Sequence, residues 1–195
     1  MAKLIVSNLV SLDGFCAGPG GDLSGLPMGP AFDDYNVALL RTAGTLVFGR
    51  TTFSMFSAFW PQVERDATAG PVLREIAALT GTMGKLVVSD TLVLDSTAPW
   101  GDAQVVRRAE SHARIAQLKA GTGPDLLMFG GRMVWNDLFA HGLVDEMHVL
   151  VGNVVLGGGV RAMEPGTAAP MRLLGHRRLE GSDIVALRYA CGPTR

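Results

Sequence analysis

The stretch that decides the fold is LLMFGGRMVWNDLF, residues 126–139, where an apolar run stops at the adjacent pair Gly130–Gly131 and a second apolar pattern begins. The run before the glycines, DLLMF (125–129), is typical of a buried strand. The residues after them, 132–140, carry apolar side chains at helical spacing and predict a helix that ends near Gly142. The glycine pair has two interpretations: a tight connection, or a turn whose backbone amides approach a phosphate.

Strands and helices alternate around this stretch over most of the chain. The patterns predict strands at 3–10, 45–48, 85–89, 104–107 and 125–129, and helices at 31–43, 49–59, 71–80, 109–119 and 132–140. Four strand-like segments without intervening helices follow, at 144–152, 153–159, 171–179 and 183–190. Alternation predicts a parallel sheet covered by helices, and the last segments predict an antiparallel edge. We expect an α/β fold with a mixed, mostly parallel sheet in a single domain, residues 1–195.

Composition and charge narrow the classes of function. Hydrophobic residues make up 48% of the 195 residues and charged residues 18%, which predicts a packed core rather than disorder. The net charge is −1 and no basic cluster is present, so we expect no nucleic-acid or membrane partner. The start, MAKLIVSNLVSLDG, is too short and polar for a signal peptide, and no apolar run is long enough to span a bilayer. A cytoplasmic protein with a small-molecule partner is expected.

Motifs for metal binding and nucleophilic catalysis are missing from the sequence. The two cysteines, Cys16 and Cys191, form no CxxC pair, so neither a disulfide framework nor a zinc site is expected. No serine lies in a GxSxG elbow, which gives hydrolase chemistry no support. The histidines show no metal-ligand spacing, so we predict no metal and interpret them as surface or strand residues: His112, His141, His148 and His176.

The first of three strand-to-helix junctions suited to an anion is GRTT (49–52), which follows the predicted strand TLVF. Gly49 lets backbone amides approach an anion, and the positive end of the helix dipole favours negative charge there. Arg50 adds a planar fork of donors that suits a phosphate. The alternative is an ordinary helix whose first turn is capped by Thr51 or Thr52.

Three further features lie at strand ends or in loops. Ser89, at the end of KLVVS, can donate to a phosphate or a ribose or can form a turn, and the adjacent Asp90 would repel a phosphate beside it. The pair Gly130–Gly131 lacks the GxGxxG spacing, so an ordinary dinucleotide-binding assignment fails. The loop SLDGFCAG (11–18) suits a lid that closes over a cofactor, or a surface loop in which Asp13 caps its own turn.

These features, in this order, resemble the dihydrofolate reductase fold. They are still more similar to small proteins related to the reductase domain of the bifunctional deaminase-reductases of riboflavin synthesis. The matching stretches cover essentially the whole chain: VSLDGFCAG (10–18), LVFGRTTFSMFSAFWP (46–61), KLVVSDTL (85–92), LLMFGGRMVWNDLF (126–139) and LVDEMHVLVGNVVLGGGVRAM (143–163). The resemblance implies a three-layer fold, a nicotinamide cofactor across the strand ends and a homodimer.

The resemblance also assigns candidate cofactor residues. It implies that the phosphates on the adenosine side lie at Gly49, Arg50, Thr51 and Thr52, and that Ser89 lies near the adenine ribose. It implies that the pyrophosphate is surrounded by Gly130, Gly131, Arg132, Met133 and Val134. It implies that the nicotinamide end is lined by Asp13, Ala17 and Gly18. Two helix N-termini and one arginine would then converge on a dianion.

Two departures from the family pattern concern cofactor choice and catalysis. Asp90 would repel a 2′-phosphate and could accept a hydrogen bond from a 2′-hydroxyl, so NADH is possible. Arg50 favours NADPH, as does a neighbouring arginine, either Arg107 or Arg108. Counting back from Arg50 places Asp33 where folate reductases carry the acid that binds the pterin and assists its protonation. Its flanking PAFDDYN does not match, and acids at a helix N-terminus are also favoured by the helix dipole alone.

The sequence therefore predicts an enzyme, an NADPH-dependent reductase that transfers a hydride to a small, planar heterocycle, either 5-amino-6-ribosylamino-pyrimidine-like or pterin-like. Asp33 is the candidate catalytic acid. Trp60, with Pro61, is a candidate wall of the substrate pocket because a flat aromatic ring suits a planar heterocycle. The alternative is a non-catalytic dimeric sensor that binds a nucleotide or a flavin.

Overall fold

An eight-stranded sheet lies at the centre of the molecule, and helices cover both of its faces. The structure is a computed structural model, and it describes residues 1–192. The strands are β1 (Leu4–Val10), β2 (Phe15–Ala17), β3 (Ala43–Gly49), β4 (Gly84–Val88), β5 (Gln104–Val106), β6 (Asp125–Phe129), β7 (Glu146–Val151), β8 (Val160–Arg161), β9 (Met171–Arg178) and β10 (Val185–Cys191). The helices are α1 (Pro30–Leu40), α2 (Arg50–Arg65), α3 (Pro71–Thr82), α4 (Arg108–Ala120) and α5 (Arg132–Ala140).

The strand order in the sheet is β5-β4-β3-β6-β1-β7-β10-β9. From β5 to β7 every neighbouring pair is parallel, whereas β10 runs antiparallel to both β7 and β9. This arrangement confirms the mostly parallel sheet with antiparallel C-terminal strands. Because β3 and β6 are parallel neighbours, the helices that follow them, α2 and α5, begin at the same edge of the sheet.

The central strand β1 is buried along its whole length, and its side chains alternate between two cores. Leu4 belongs to a core that includes Ile115 of α4 and Trp135 of α5. Ile5 belongs to a second core, which includes Val37 of α1 and residues of α2 and α3. Successive strand residues face opposite sides of a sheet, so helices must cover both sides of an all-apolar strand. The three-layer expectation is therefore confirmed.

The segment 153–159, NVVLGGG, was expected to be a strand, and this prediction was wrong. The residues form a loop between β7 and β8, in which Gly157 has a φ of 69° and Gly159 a φ of 122°. Such left-handed backbone cannot continue a strand ladder. The apolar pattern of the segment instead reflects contacts of Val154 and Leu156 with the core that contains Leu9 and Leu150.

The structure also differs from the predicted elements in an additional short strand and in the length of α2. The segment 13–30, where the sequence patterns predict neither a strand nor a helix, contains β2, which pairs with β8, and a short 3₁₀ turn at Pro19–Gly21. Helix α2, predicted to stop at residue 59, continues through the buried Pro61 to Arg65. Proline restricts the preceding residue and removes one helical hydrogen bond, but burial of its ring in a packed helix offsets part of that cost. Among residues 1–192, the helices are too short or too polar to cross a membrane.

Candidate functional site

Two helix N-termini meet at the edge of the sheet where β3 and β6 end. Gly49 is the N-cap of α2, and Gly131 is the N-cap of α5. A Cβ atom added to Gly131 would lie 3.5 Å from the backbone nitrogen of Gly49, and one added to Gly49 would lie 3.1 Å from a methyl group of Val134. The two junctions therefore lie close together, with no room between them for a larger side chain at either glycine. Both helices direct the positive ends of their dipoles at this edge.

The glycine pair adopts a conformation that other residues rarely tolerate. Gly130 has a φ of 58° and Gly131 a φ of 65°, both in the left-handed region. A Cβ at Gly131 would also lie only 2.7 Å from the terminal methyl carbon of Met128. The pair is thus a tight strand-to-helix turn, and the same turn brings the first amides of α5 to the strand edge. The two interpretations of this stretch describe one structure.

The first turns of both helices lack side-chain caps. Neither Gly49 nor Gly131 has a side chain, and no cap hydrogen bond is made at either position. The expectation that Thr51 or Thr52 caps α2 was wrong, because both lie inside the helix, after the N-cap position. Thr51 is exposed, whereas Thr52 is buried with its hydroxyl close to Gly130. The first backbone amides of each helix have no intrahelical acceptor and suit an anion.

Arg50, the first residue of α2, is exposed beside these amides. Its Nη1 atom donates a 3.0 Å hydrogen bond to the hydroxyl of Thr91, in the turn after β4. That contact orients the guanidinium along the strand edge and occupies one of its five N–H donors. The remaining donors can bind a phosphate in the two-pronged manner typical of arginine.

Ser89 and Asp90, directly after β4, are both engaged with the protein. The Ser89 hydroxyl oxygen accepts hydrogen bonds from the backbone nitrogens of Thr91 (3.2 Å) and Leu92 (3.0 Å), so Ser89 forms the turn. The Asp90 carboxylate accepts a 3.0 Å hydrogen bond from the backbone nitrogen of Arg108 and lies 3.7 Å from its Nε atom. Asp90 thus stabilises the start of α4, and Arg108 partly neutralises its charge. A role for Ser89 near a ribose stays a prediction.

Arg132, the first residue of α5, differs from Arg50 in its partner. Its guanidinium is half-buried and forms an ion pair with Glu164. Asn136, one turn later, fixes the same segment: its amide donates to the carbonyl of Ala162 (2.9 Å), and its side-chain oxygen accepts from the backbone nitrogen of Glu164 (2.9 Å). An anion at this end of α5 would therefore meet backbone amides rather than the Arg132 side chain. Met133 beside it is exposed.

The loop 11–18 is tied to the loop that follows β7. The Asp13 carboxylate accepts hydrogen bonds from the backbone nitrogens of Leu156 (3.1 Å) and Gly157 (2.8 Å). A hydrogen bond from Ser11 lowers the pKa of the Asp13 carboxyl most, burial opposes it, and the bonds from these two amides lower the pKa further. Asp13 thus interacts with Ser11 in its own turn, as one interpretation of the sequence proposed, and it also joins the two loops.

The same two loops are in close backbone contact further along the chain. A Cβ at Gly159 would lie 2.3 Å from the carbonyl oxygen of Ala17 and within 3 Å of Gly18. Only a glycine fits at this distance, so the loop 152–159 packs directly against Ala17–Gly18. Both of these candidate residues, Ala17 and Gly18, are buried.

Asp33 and Trp60 lie on helices that cover the same face of the sheet. Asp33 is in the first turn of α1, and half-burial, followed by the charge of Asp34, raises its carboxyl pKa. Trp60 packs edge-on against Phe56, which in turn stacks on Phe129 at the end of β6. An aromatic row therefore runs from Trp60 to the strand that carries the glycine pair.

A buried polar chain was not anticipated from the sequence. The hydroxyl of Tyr35, on α1, lies 2.9 Å from Nδ1 of His148 on β7, and Nε2 of His148 lies 3.5 Å from Glu146. Lys3 forms an ion pair with the same Glu146. Burial lowers the pKa of His148, against the opposing effect of Glu146. For Glu146, burial favours the neutral form, but Lys3 and His148 outweigh it and lower its pKa.

Comparison with known families identifies the fold and its relatives. The family model of the RibD C-terminal domain matches residues 2–185. The chain belongs to the RibD C-terminal domain family. Among curated proteins, YyaP of Bacillus subtilis (strain 168) is 28% identical over 160 residues, which cover 80% of this chain and 78% of YyaP.

Solved structures agree with the family assignment. A protein described as a riboflavin biosynthesis protein from Shewanella sp. PV-4 is similar with a TM-score of 0.70 and 22% identity, over 99% of this chain and all of that one. Dihydrofolate reductase from Enterococcus faecalis, complexed with NADP(H), is similar with a TM-score of 0.62 and 14% identity, over 98% of this chain and 97% of the reductase. The fold is therefore that of dihydrofolate reductase, as the sequence predicted.

Proposed function

We propose that the protein is an NADPH-dependent reductase that transfers a hydride to a small planar heterocycle of the aminopyrimidine or pterin class. The observation that carries the proposal is the proximity of the glycine N-caps of α2 and α5, which places two uncapped helix N-termini and Arg50 at one strand edge. Such an arrangement suits the phosphates of a dinucleotide. Family membership points to the same chemistry.

The residues present fit a nicotinamide dinucleotide. Gly131 has no side chain, and its backbone lies close to Gly49. This absence of a side chain suits a pyrophosphate, which must approach the backbone amides closely. The amides of Arg132 and Met133 would hold the pyrophosphate, and Arg50 with the amides of Thr51 and Thr52 would hold the phosphates on the adenosine side. The backbone of Ala17 and Gly18, held by Asp13 and the loop 152–159, would line the nicotinamide.

The charges around the end of β4 support the proposed preference for NADPH over NADH. Asp90, which would repel a 2′-phosphate, is paired with Arg108, so its charge is partly neutralised. Arg50 is exposed, and its contact with Thr91 keeps it beside the same turn. Arg50 and Arg108 therefore both contact residues of the turn after β4, which supports a preference for the more negative cofactor.

When bound, NADPH supplies the hydride, and the protein supplies orientation, exclusion of water and one proton. Asp33 is the candidate proton donor, and half-burial, followed by the charge of Asp34, raises the pKa of its carboxyl in the direction that a general acid requires. Trp60, at the end of the aromatic row, would form a wall for the planar substrate. The two joined loops, 11–18 and 152–159, would exclude water from the reacting carbon.

The test is a thermal-shift panel with NADPH, NADH and flavin mononucleotide. We expect NADPH to raise the melting temperature most, NADH less, and the flavin not at all, because ligands that bind only the folded state stabilise it. Stabilisation by the flavin alone would favour a non-catalytic sensor. No shift with either nicotinamide would overturn the proposal. Oxidation of NADPH by candidate aminopyrimidines and pterins, followed by absorbance, then identifies the substrate.

We also propose that the protein is a cytoplasmic homodimer that pairs through the edge strand β9. This strand ends the sheet, and its Leu173 is 48% exposed and its Leu174 37% exposed. An open edge with exposed leucines is a surface that proteins usually cover. Light scattering is expected to give twice the chain mass, and Leu173→Lys is expected to shift the mass toward the monomer. A monomeric wild-type protein would contradict the assembly.

A further inference from the structure

The far end of α5 carries a cluster of metal-ligand side chains that the proposed reductase site does not use. His112 projects from α4, Asp137 from the last turn of α5, and His141 follows α5 directly. Nε2 of His112 lies 2.7 Å from one Asp137 carboxylate oxygen, and Nδ1 of His141 lies 3.4 Å from the other. One ligand atom from each residue lies within 4.8 Å of the other two.

We propose that His112, Asp137 and His141 bind a divalent transition-metal ion of the zinc class. Two imidazoles and one carboxylate form a ligand set that such ions prefer, and three protein ligands leave a position for water. In a tetrahedral zinc site, ligand atoms lie about 3.3 Å apart, given bonds of about 2.0 Å. The exposed side chains need to move by roughly one ångström to reach that spacing.

The backbone already presents two of the three ligands on one face. Asp137 and His141 are four residues apart, which places them one helical turn from each other. Nδ1 of His141 lies 2.8 Å from the carbonyl oxygen of Asp137 and can donate to it. That contact holds the imidazole of His141 beside the Asp137 side chain. The negative end of the α5 dipole further favours a cation here.

The third ligand comes from α4. Ile115 of α4 and Leu138 of α5 are both fully buried in the same core, which anchors each helix to the sheet. The two imidazole rings already face each other, with 4.1 Å between their centroids. A metal ion between Nε2 of His112 and the Asp137 carboxylate would take the place of the 2.7 Å hydrogen bond that now joins them. The ion would cross-link α4 and α5 through its protein ligands.

The test uses the full chain without a histidine tag, titrated calorimetrically with Zn²⁺ and Co²⁺. We expect one equivalent to bind with micromolar affinity, and the affinity to fall roughly tenfold or more in His112→Ala and in His141→Ala. His176→Ala, which removes an exposed histidine on β9, is the matched control and is expected to bind like the wild type. Co²⁺ is expected to give visible absorbance without a thiolate charge-transfer band, which excludes Cys16 and Cys191 as ligands.

Metal binding is also expected to change the melting temperature of the protein. Zn²⁺ is expected to raise the melting temperature of the wild type and of His176→Ala, but not that of His112→Ala or Asp137→Ala, whereas all four melt alike in a chelator. The proposal is overturned if no metal binds at about 100 µM, if both histidine variants bind like the wild type, or if a thiolate band appears. Because these side chains are exposed, the variants are expected to fold normally.

Discussion

The two ends of α5 contain glycines with nearly the same backbone but with different surroundings. Gly131, before the helix, has a φ of 65°, and Gly142, after it, has a φ of 67°. A Cβ at Gly131 would crowd Met128 and approach Gly49, whereas a Cβ at Gly142 would meet nothing within 4 Å. The positive φ therefore marks a turn at both ends, and only close backbone approach distinguishes the end that we propose as a binding site.

The largest effect is expected from substituting these two glycines in parallel. Gly131→Ala and Gly142→Ala should each lose about 1–2 kcal/mol of stability through left-handed strain, with a further loss at Gly131 from the contact with Met128. Only Gly131→Ala should weaken NADPH binding, by roughly a hundredfold, since its methyl group would crowd Met128 and Gly49 and displace the two helix N-termini that are proposed to hold the phosphates. Calorimetric titration and thermal melts measure both quantities. An equal loss of NADPH binding in the two variants would contradict the claim that only the Gly131 end of α5 binds the cofactor.

The arginines that begin α2 and α5 are expected to contribute differently to cofactor binding. Arg50→Ala should weaken NADPH about tenfold and NADH less, because the exposed Arg50 is free to meet a 2′-phosphate. Arg132→Ala should affect both cofactors equally and more weakly, since Arg132 is paired with Glu164. Dissociation constants for both cofactors provide the measurement. If Arg50→Ala weakens NADPH and NADH to the same extent, Arg50 does not read the 2′-phosphate.

Buried His148 contrasts with the exposed histidines at the end of α5. Burial lowers its folded-state pKa below the ordinary value of 6.5, so the unfolded chain binds more protons just below pH 6.5. Stability should therefore fall as the pH drops below about 6.5 toward the folded pKa. Glu146, with a pKa lowered below 4.5, adds a second loss as the pH falls through its own folded value.

The measurement is the free energy of unfolding from urea titrations at several pH values. In His148→Gln, the free energy of unfolding should fall less between pH 6.5 and the folded pKa of His148. The difference from the wild type should be about 1 kcal/mol for each unit by which the pKa of His148 is lowered. His176→Gln, at an exposed position, should leave the profile unchanged. An acid loss that is identical in the wild type and His148→Gln would show that His148 does not cause it.

The smallest effect is expected at Thr51. Because Thr51 is exposed and does not cap α2, Thr51→Ala should change stability by less than about 0.5 kcal/mol. Binding of NADPH should fall a few fold if its hydroxyl meets a phosphate. A stability loss of about 1 kcal/mol, the usual value for a lost cap, would show that Thr51 caps the helix after all.

Most of the fold could be predicted because its signals are local. The apolar run 125–129, the glycine pair and the helical spacing of 132–140 correspond closely to β6 and α5. The failure at 153–159 has a physical cause: apolar residues there contact a core from a loop, and apolar character alone does not distinguish a strand from a packed loop.

The parts that could not be predicted depend on contacts between distant segments. His112 and His141 show no ligand spacing along the chain because they lie on separate helices that only the fold brings together. The Asp137–His141 spacing of one helical turn was the one local signal for that cluster. In the same way, Tyr35 meets His148, and Asp13 meets Gly157, only after β7 has joined β1 in the sheet.

The central claim is that the first turns of α2 and α5 together hold a dinucleotide. Titration of the ¹⁵N-labelled protein with NADPH, followed by amide chemical shifts, tests it most directly. The largest shifts are expected at Arg50, Thr51, Gly131, Arg132 and Met133, with little change at Gly142 at the other end of α5. Saturating NADPH that leaves these amides unchanged, or shifts only residues elsewhere, would contradict the claim.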